Sequence, residues 1–592
     1  MSLSWGGHVV RPKFFLLLPL LGLISSFALA QQAANSAFDG PAELPRERVA
    51  SSMKDTPAQG KTILVKPGEN IAAALGRASC GDTVELQAGA TFSGNVEIPA
   101  RNCDDAHWII IRTSAPDASL PAEGKRLTPC YAGVSSLPGR PPLRCTATNN
   151  VLAKLEFNGK GGNGPIIFAA GANHYRLVGL EVTRVASPAT LHAMIQFAGR
   201  ADHIVFDRMW IHGSPQDETA RGVSLGASRY VAVVDSYIND LHCVAKSGAC
   251  TESTAVGGGL GEDPMGPYKI ANNFLEAAGE NVYFGGGHAT LSPQDIEVVH
   301  NHMFKPFTWM KGQPGFVGGS DGNPFIVKNL FELKNAQRVL LEGNVMQGSW
   351  GGFSQRGFAI LLTPKNQGSA KASVCPACQV TDVTVRYNAI HRVGAGLQIA
   401  NGLSDAGGAA ADGQRYSIHD LVIDGIDGRT FDGLGEFAQL SMGNGAALLQ
   451  NVSINHVTAF PDRMLFVGAP SGTRMKNFVF TSNILNAGKY PVWSTGGGPS
   501  NCAFSNSPQT TLENCFSSYT FGANVILDSP PASWPPRNFF GSEKSVKFVN
   551  FNDGNGGDYH LQPSSPYRGK GLDGKDVGAD IDAVNAATAG VE

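Results

Sequence analysis

One pattern of apolar and polar positions recurs along the middle of the chain: an apolar residue, two residues, Asn or Asp, one residue, an apolar residue. It reads Ile204-Asp207-Met209, Ala232-Asp235-Tyr237, Ile270-Asn273-Leu275, Val298-Asn301-Met303 and Leu341-Asn344-Met346. It continues as Val385-Asn388-Ile390, Leu421-Asp424-Ile426, Val452-Asn455-Val457 and Phe480-Asn483-Leu485. The polar step returns after 28, 38, 28, 43, 44, 36, 31 and 28 residues. A short repeat with variable additions predicts a coil of short strands in which each addition is a lateral loop. Asn and Asp suit the bends because they tolerate left-handed backbone angles and bond nearby backbone groups. Asparagines stacked in adjacent turns can also bond one another as a ladder.

The ends of the chain carry their own signals. Thr62-Ile63-Leu64-Val65 predicts a first strand, Gly68 to Leu75 a short amphipathic helix, and Gly81 to Leu86 a second strand. Trp108 to Arg112 fits another early strand, and the Pro- and Gly-rich stretch 115–150 reads as an excursion. Asp558-Tyr559-His560-Leu561 through Val577-Gly578-Ala579-Asp580 reads as a closing segment over the C-terminal end. An uncovered end would leave apolar stacks and strand edges in water. With these features the chain resembles the right-handed parallel β-helix proteins, which include pectate-lyase-like and polygalacturonase-like enzymes. The resemblance implies an all-β, single-stranded parallel β-helix over 61–592, with a capping helix within 61–80, long lateral loops and a C-terminal cap over about 520–592.

Composition supports this class. Charged residues make up 16% of the 592 residues, against about 25% in average domains. The 72 glycines suit many tight bends. Residues 1–30 read as a signal peptide: Arg11 and Lys13 precede the apolar run Phe14 to Ala30, and Ala28-Leu29-Ala30 offers a cleavage site. A secreted protein beginning near Gln31 is expected, with 31–60 as a flexible tail and no later membrane span. Removing Arg11 and Lys13 moves the formal charge from −3 to −5, which argues against a nucleic-acid partner. A monomer is expected. The ten cysteines fall into five near-neighbour pairs, read as disulfides of an exported chain. Cys375-Pro-Ala-Cys378 could instead be redox-active or bind metal, but no second such pair supports it.

The longest additions fall at about 240–266, 306–325, 348–378 and 402–416. Neighbouring turns lie about 4.8 Å apart, so loops leaving one edge would wall a groove for polysaccharide. The densest chemistry beside them is Lys328-Asn329-Leu330-Phe331-Glu332-Leu333-Lys334, followed by Arg356 and Lys365-Asn366. Strand alternation puts Lys328, Leu330, Glu332 and Lys334 on one face, outside the coil. Such a set suits β-elimination on a uronate glycan, where the substrate carboxylate must be neutralised by a metal ion or cations while a base removes the adjacent proton. Glu-x-Lys followed by Asn344 and Arg356 resembles alginate-lyase and chondroitinase-B type lyases of this fold. That resemblance implies Lys334 as base, Arg356 and Lys328 as catalytic cations, and calcium on Glu332 and Glu280. Asn281, Lys365, Asn366 and Trp350 are the expected substrate contacts.

Alternatives stay open. A glycoside hydrolase needs paired carboxylates, and the polygalacturonase motif set is absent. A non-catalytic surface or adhesive protein could use the coil as a rigid spacer. Glu262, Asp263 and Asp321 could complete a calcium site, His300 and His302 could form a metal pair, and His391 or Arg392 could contact sugar. Trp309 and Phe353 join Trp350 as loop aromatics that could either stack on sugar or pack on the coil.

Overall fold

The computed structural model describes residues 37–244, 250–369, 372–402, 408–505 and 507–592; the expected signal peptide lies outside them. The chain winds as a parallel β-helix. A 26-stranded sheet bends once per turn to give two flat faces, and a 12-stranded sheet closes the third. In each turn a first-face strand such as Tyr268–Ala271 bends into a second-face strand such as Phe274–Ala277, and then into a third-face strand such as Glu280–Phe284. All three pair in parallel with their equivalents in the next turn.

Register makes the core. On the third face Val256, Val282, Phe331, Ile360, Leu397, Ala438 and Leu465 lie in one inward row. All are fully buried. Apolar residues that recur once per turn therefore stack on their own equivalents, and the core grows in length rather than width.

The bend between the first and second faces holds the polar repeat. Asn272, His300 and Tyr387 adopt φ of 56°, 58° and 54°, and Gly343 sits at 64°. The next residue in each turn, Asn273, Asn301, Asn344 or Asn388, points inward. Each of the first three donates from Nδ2 to Oδ1 of the next, at 3.0, 3.0 and 2.9 Å. Thus the left-handed residue and the ladder residue are neighbours, not one residue. The repeat as read from sequence needs correction at four steps. Asp207 precedes the left-handed Arg208 (φ 47°), which leaves Met209 in the ladder position. Asp235 is itself the left-handed residue (φ 54°), and Ser236 takes the ladder place, its amide donating to Asn273 Oδ1. Asp424 lies outside the bend, where Asp420 and Leu421 stand instead. Asn455 precedes the left-handed His456, leaving Val457 in the ladder position. A second ladder resumes as Asn483, Asn524 and Asn538, at 2.9 Å per link.

Both ends depart from expectation. The helix Ile71–Arg77, capped by Asn70, buries Ile71, Ala74 and Leu75 against the first turns. Residues 37–60 are not a loose tail. They run along the coil, bound to charges displayed at the bend between the third and first faces. There Asp295, Arg338, Asp382 and Arg415 alternate in sign, with Arg338 on Asp295 and Arg415 on Asp382 at 2.7 Å. The Arg46 amide donates to Asp295 at 2.8 Å and the Glu43 amide to Asp382 at 3.1 Å. Asp39 pairs with Arg386 at 2.6 Å and with His419 at 3.0 Å. At the other terminus, residues from Val546 to Val584 pack on the outer side of the second face against Ala389, Val422 and Ile484. The helix Ile581–Thr588 runs lengthwise there, so the last segment covers a flank and not the end of the coil. Trp534 on Phe521 closes the end itself.

All five disulfides join the sequence neighbours: Cys80–Cys103, Cys130–Cys145, Cys243–Cys250, Cys375–Cys378 and Cys502–Cys515. Cys375 and Cys378 are therefore a loop staple, packed with Ala289 and Ala410. Among the described residues no helix is long and apolar enough to cross a membrane.

Two outcomes test this account. Asn344→Ala removes a donor and an acceptor from a buried ladder, so it destabilises by about 2–4 kcal/mol in urea titration; Asn344→Asp, which cannot donate onward, is also destabilising. For the N-terminal segment, burial opposes charge on His419, yet hydrogen bonds and the charges of Asp39 and Asp420 lift its pKa from 6.5 to about 9. That stabilisation is complete below pH 6.5 and lost as pH rises through about 9. Burial would raise the pKa of Asp39, but His419 and Arg386 draw it from 3.8 to about 2, so its share is present above pH 3.8 and lost toward pH 2. Proteolysis within 37–60 therefore accelerates between pH 6.5 and 9, and His419→Gln flattens that rise.

Candidate functional site

The lateral loops leave two edges of the third face. At the edge shared with the second face, Val244, Trp309, Phe325, Val327, Trp350 and Phe431 pack together. At the other edge Ala289 bonds Val374 and packs with Cys375, Cys378 and Ala410. The third face is thus the floor between two loop walls. Its outward row, in register, runs Ser224, Gly257, Tyr283, Glu332, Leu361, Gln398 and Gln439.

At the centre of this floor the structure gathers Lys328, Glu332, Lys334 and Glu280 as the sequence suggested, and adds Glu252 and Tyr283. Lys328 Nζ lies 3.0 Å from Glu252 and 3.4 Å from Glu280. Lys334 Nζ lies 3.1 Å from Glu332, 3.9 Å from Glu252 and 3.1 Å from the Tyr283 hydroxyl. Asn329 Nδ2 donates to the other Glu332 oxygen at 2.5 Å. Glu280 is fully buried, and neither of its oxygens has a hydrogen-bond partner. Glu252 is the member most open to solvent, its side chain 28% exposed. Gly286 (φ 80°) gives the Tyr283 hydroxyl its space, since a Cβ there would overlap it.

Burial and mutual charge tune the set. Burial raises Glu280, Lys328 opposes it, and the carboxylates of Glu332 and Glu252 raise it further, to about 7. Burial would lower the two lysines. Glu280 and Glu252 nevertheless hold Lys328 above its ordinary value, and Glu332 and Glu252 do the same for Lys334. Burial, reinforced by the three glutamates, pushes Tyr283 well above 10. The site at neutral pH is therefore two ammonium groups, a protonated phenol, and a carboxyl poised to gain or lose its proton. Contact with Glu332 and Glu252 favours the charged form of Lys334.

Beneath the cluster is Lys305, which sequence reading passed over. Its wholly buried ammonium, with three N–H groups, lies within hydrogen-bond reach of four oxygens: the carbonyls of Ala277, Gly279 and Asn329 and Asn281 Oδ1, at 2.8, 2.8, 3.0 and 2.8 Å. It ties the segments that carry Glu280 and Lys328. Burial lowers its pKa to about 7. Asn281 thereby serves the interior: its Nδ2 bonds the Leu275 and Phe304 carbonyls, so it is not a substrate contact.

Other expectations move as well. Arg356 is exposed on the Gly351–Arg356 hairpin, and among the described residues its guanidinium has no carboxylate within 4.0 Å. Trp350 and Trp309 are 4% and 1% exposed and pack in the loop wall; Phe353 is 62% exposed. Lys365 is half-buried beside the cluster, its amide bonded to the Lys334 carbonyl. Asn366 accepts from the Cys375 amide at 2.9 Å and so shapes the loop. His300 bonds the Ala587 carbonyl and His302 is buried, its pKa lowered by burial to about 3, so they form no metal pair.

Calcium does not fit these carboxylates. The lysine ammonium groups already hold the cation positions against Glu280, Glu332 and Glu252. Among the described residues, the group that brings three metal-ligating atoms within 4.8 Å of one another is Asp105, His174 and His203, on the first face. A calcium site takes six to eight oxygens, which this lysine-filled cluster does not offer.

No protein-family model matches the sequence, and no curated protein matches it. Similar solved structures include pectate lyase Pel9A, at 11% identity over 89% of this chain and 97% of that one, TM-score 0.36. The PL6 family alginate lyase AlyGC is 12% identical over 90% of this chain and 59% of its own, TM-score 0.40. The Yersinia enterocolitica family 28 exopolygalacturonase is 11% identical over 81% and 78%, TM-score 0.33. These likenesses are too distant to bear on chemistry, which stands on the residues alone.

Lys305→Met leaves three carbonyls and one amide oxygen buried without their donor, so we expect a loss of about 3–5 kcal/mol in denaturant titration. A charge-only role, with equal stability in the Met variant, would overturn this reading.

Proposed function

We propose that this chain is an exported carbohydrate-active protein that binds an acidic glycan over its third face and cleaves it by β-elimination. The observation that carries the reading is the pair of ammonium groups beside Glu280, a carboxyl at about 7, and the protonated Tyr283. Five disulfides support an oxidising compartment.

In this reading the substrate carboxylate takes the place of the Glu252 carboxylate, which bridges both lysines from the solvent side. A uronate carboxylate displacing it would have its charge neutralised by Lys328 and Lys334, which acidifies the adjacent C–H. Glu280 takes that proton. The C–H electron pair becomes the new C=C bond, the C–O bond to the next sugar breaks, and the Tyr283 hydroxyl gives its proton to the departing oxygen. Water then restores both groups. The phenol suits this acid role because its neighbours keep it protonated. Hydrolysis is the second reading, favoured by the raised Glu280 standing among further carboxyl groups.

The test is a panel of uronate polymers followed by ultraviolet absorbance of the unsaturated product and, separately, by reducing ends. Elimination yields both signals and hydrolysis only the second; neither signal on any polymer leaves a binding or structural role. The rate should rise with pH through about 7, as Glu280 loses its proton. Glu280→Gln should lower it by about 10²–10⁴-fold and abolish that limb. Chelator should leave it unchanged.

A further inference from the structure

A cavity of about 860 Å³ lies on the outer side of the second face, away from the cluster on the third. That volume is within the range of about 300–1,000 Å³ typical of small-ligand sites. Its floor is a register row, Tyr237, Phe274 and His302, with Phe304 beside it. The Tyr237 and Phe274 rings stack at 4.2 Å, and Phe274 and Phe304 lie 5.8 Å apart. The excursion 115–150 and the segment that begins at Phe307 wall the floor.

The wall is built and held. Arg140 on the excursion bonds Glu276 at 2.6 and 2.7 Å and Asp240 at 2.5 Å, clamping the excursion to the second face. Its charge is thereby satisfied. Other cations at the cavity are not. Arg126 bonds only the oxygens of Asn272 and the Val591 carbonyl, and burial lowers its pKa to about 10. Arg392 lies 5.2 Å over the Phe307 ring with the Gln347 amide as its neighbour. Among the described residues neither guanidinium has a carboxylate within 4.0 Å, and the one acidic side chain at the cavity is the exposed Glu592. His302 Nε2 is buried there without a hydrogen-bond partner.

We propose that this cavity is a second binding site for an acidic sugar, a hexuronate unit whose carboxylate meets Arg126 and Arg392. A guanidinium takes a carboxylate through two parallel hydrogen bonds. A small inorganic anion would leave most of the cavity's volume of about 860 Å³ unfilled. The site needs no catalysis and stands whether or not the third face cleaves glycan. It would hold an acidic polymer on one flank of the coil while another stretch reaches the other flank, raising local concentration at both.

The experiment is calorimetric titration of full-length Glu280→Gln protein with uronate trisaccharides, neutral trisaccharides and inorganic phosphate. Arg392→Gln, and separately Arg126→Gln, is then added to that background. We expect uronate binding that Arg392→Gln weakens at least about tenfold, no binding of the neutral sugar, and no competition by phosphate. Arg392 is partly exposed, so its variant should keep the wild-type melting curve and, with Glu280 intact, the wild-type cleavage rate on short uronate oligomers that cannot span both flanks. Uronate binding unchanged in both arginine variants overturns the proposal. Equal binding of neutral sugar, or full displacement by phosphate, overturns the assignment to an acidic sugar. Loss of binding only on mutating Lys328 or Lys334 would place all recognition on the third face.

Discussion

Everything in this molecule follows from in-register stacking of parallel strands at one strand spacing. A side chain in one turn has its counterparts in adjacent turns as nearest neighbours, whatever the length of chain between them. Apolar positions satisfy that constraint by burying one another. Polar positions must satisfy it by pairing. Asparagines inside the bend between the first and second faces do so as donor to acceptor, and Asp295, Arg338, Asp382 and Arg415 at the bend between the third and first faces do so by alternating charge. An unpaired member in either column would leave a buried polar group without a partner, which costs about 1–3 kcal/mol.

The same constraint explains why charged groups can be buried together on the third face. Taking Lys328, Lys334, Glu280 and Glu332 out of water is expensive singly, and removing one partner exposes the penalty on the rest. Stacked strands hold the groups at contact without further side-chain ordering, and Lys305 below fixes the two segments that carry them. The residual imbalance is not erased. It appears as a Glu280 carboxyl at about 7, and perturbed groups of this kind, set among charges on a walled floor, mark functional sites more often than plain structural ones.

How much of this was legible in the sequence depended on distance along the chain. The coil was legible because its apolar spacing repeats within each turn, and alternation rightly put Glu332 outward; it also put Leu330 outward, but the strand runs only Phe331–Leu333 and Leu330 packs in the core. Glu252 was not legible: it stands 76 residues before Lys328 on an insertion, and no local pattern encodes where an insertion returns. Arg356 and Trp350 misled for the same reason, since a hairpin exposes one and a loop wall buries the other. The N-terminal segment looked disordered because its own composition cannot form a core, and its partners lie hundreds of residues away, Asp39 on His419 being the extreme. The bend was misassigned at Asp207, Asp235, Asp424 and Asn455 because a motif of matching chemistry can sit off the ladder position by one step or several.

Position along the coil completes the argument. Each turn is stabilised by its neighbours on both sides, so end turns are weakest and middle turns strongest. That surplus can offset strain and buried charge. The cluster on the third face and the cationic cavity on the second both fall in the turns between residues 237 and 392, and one insertion serves both. Phe307 and Thr308 line the cavity at its beginning, and Phe325 and Val327 lead into Lys328 at its end. Trp309 within it packs against Phe325 at 5.4 Å and under Arg140 at 5.5 Å. A single packed segment thus sets the geometry of two surfaces, which is a consequence of building a wall from a loop that leaves one face and must enter the next.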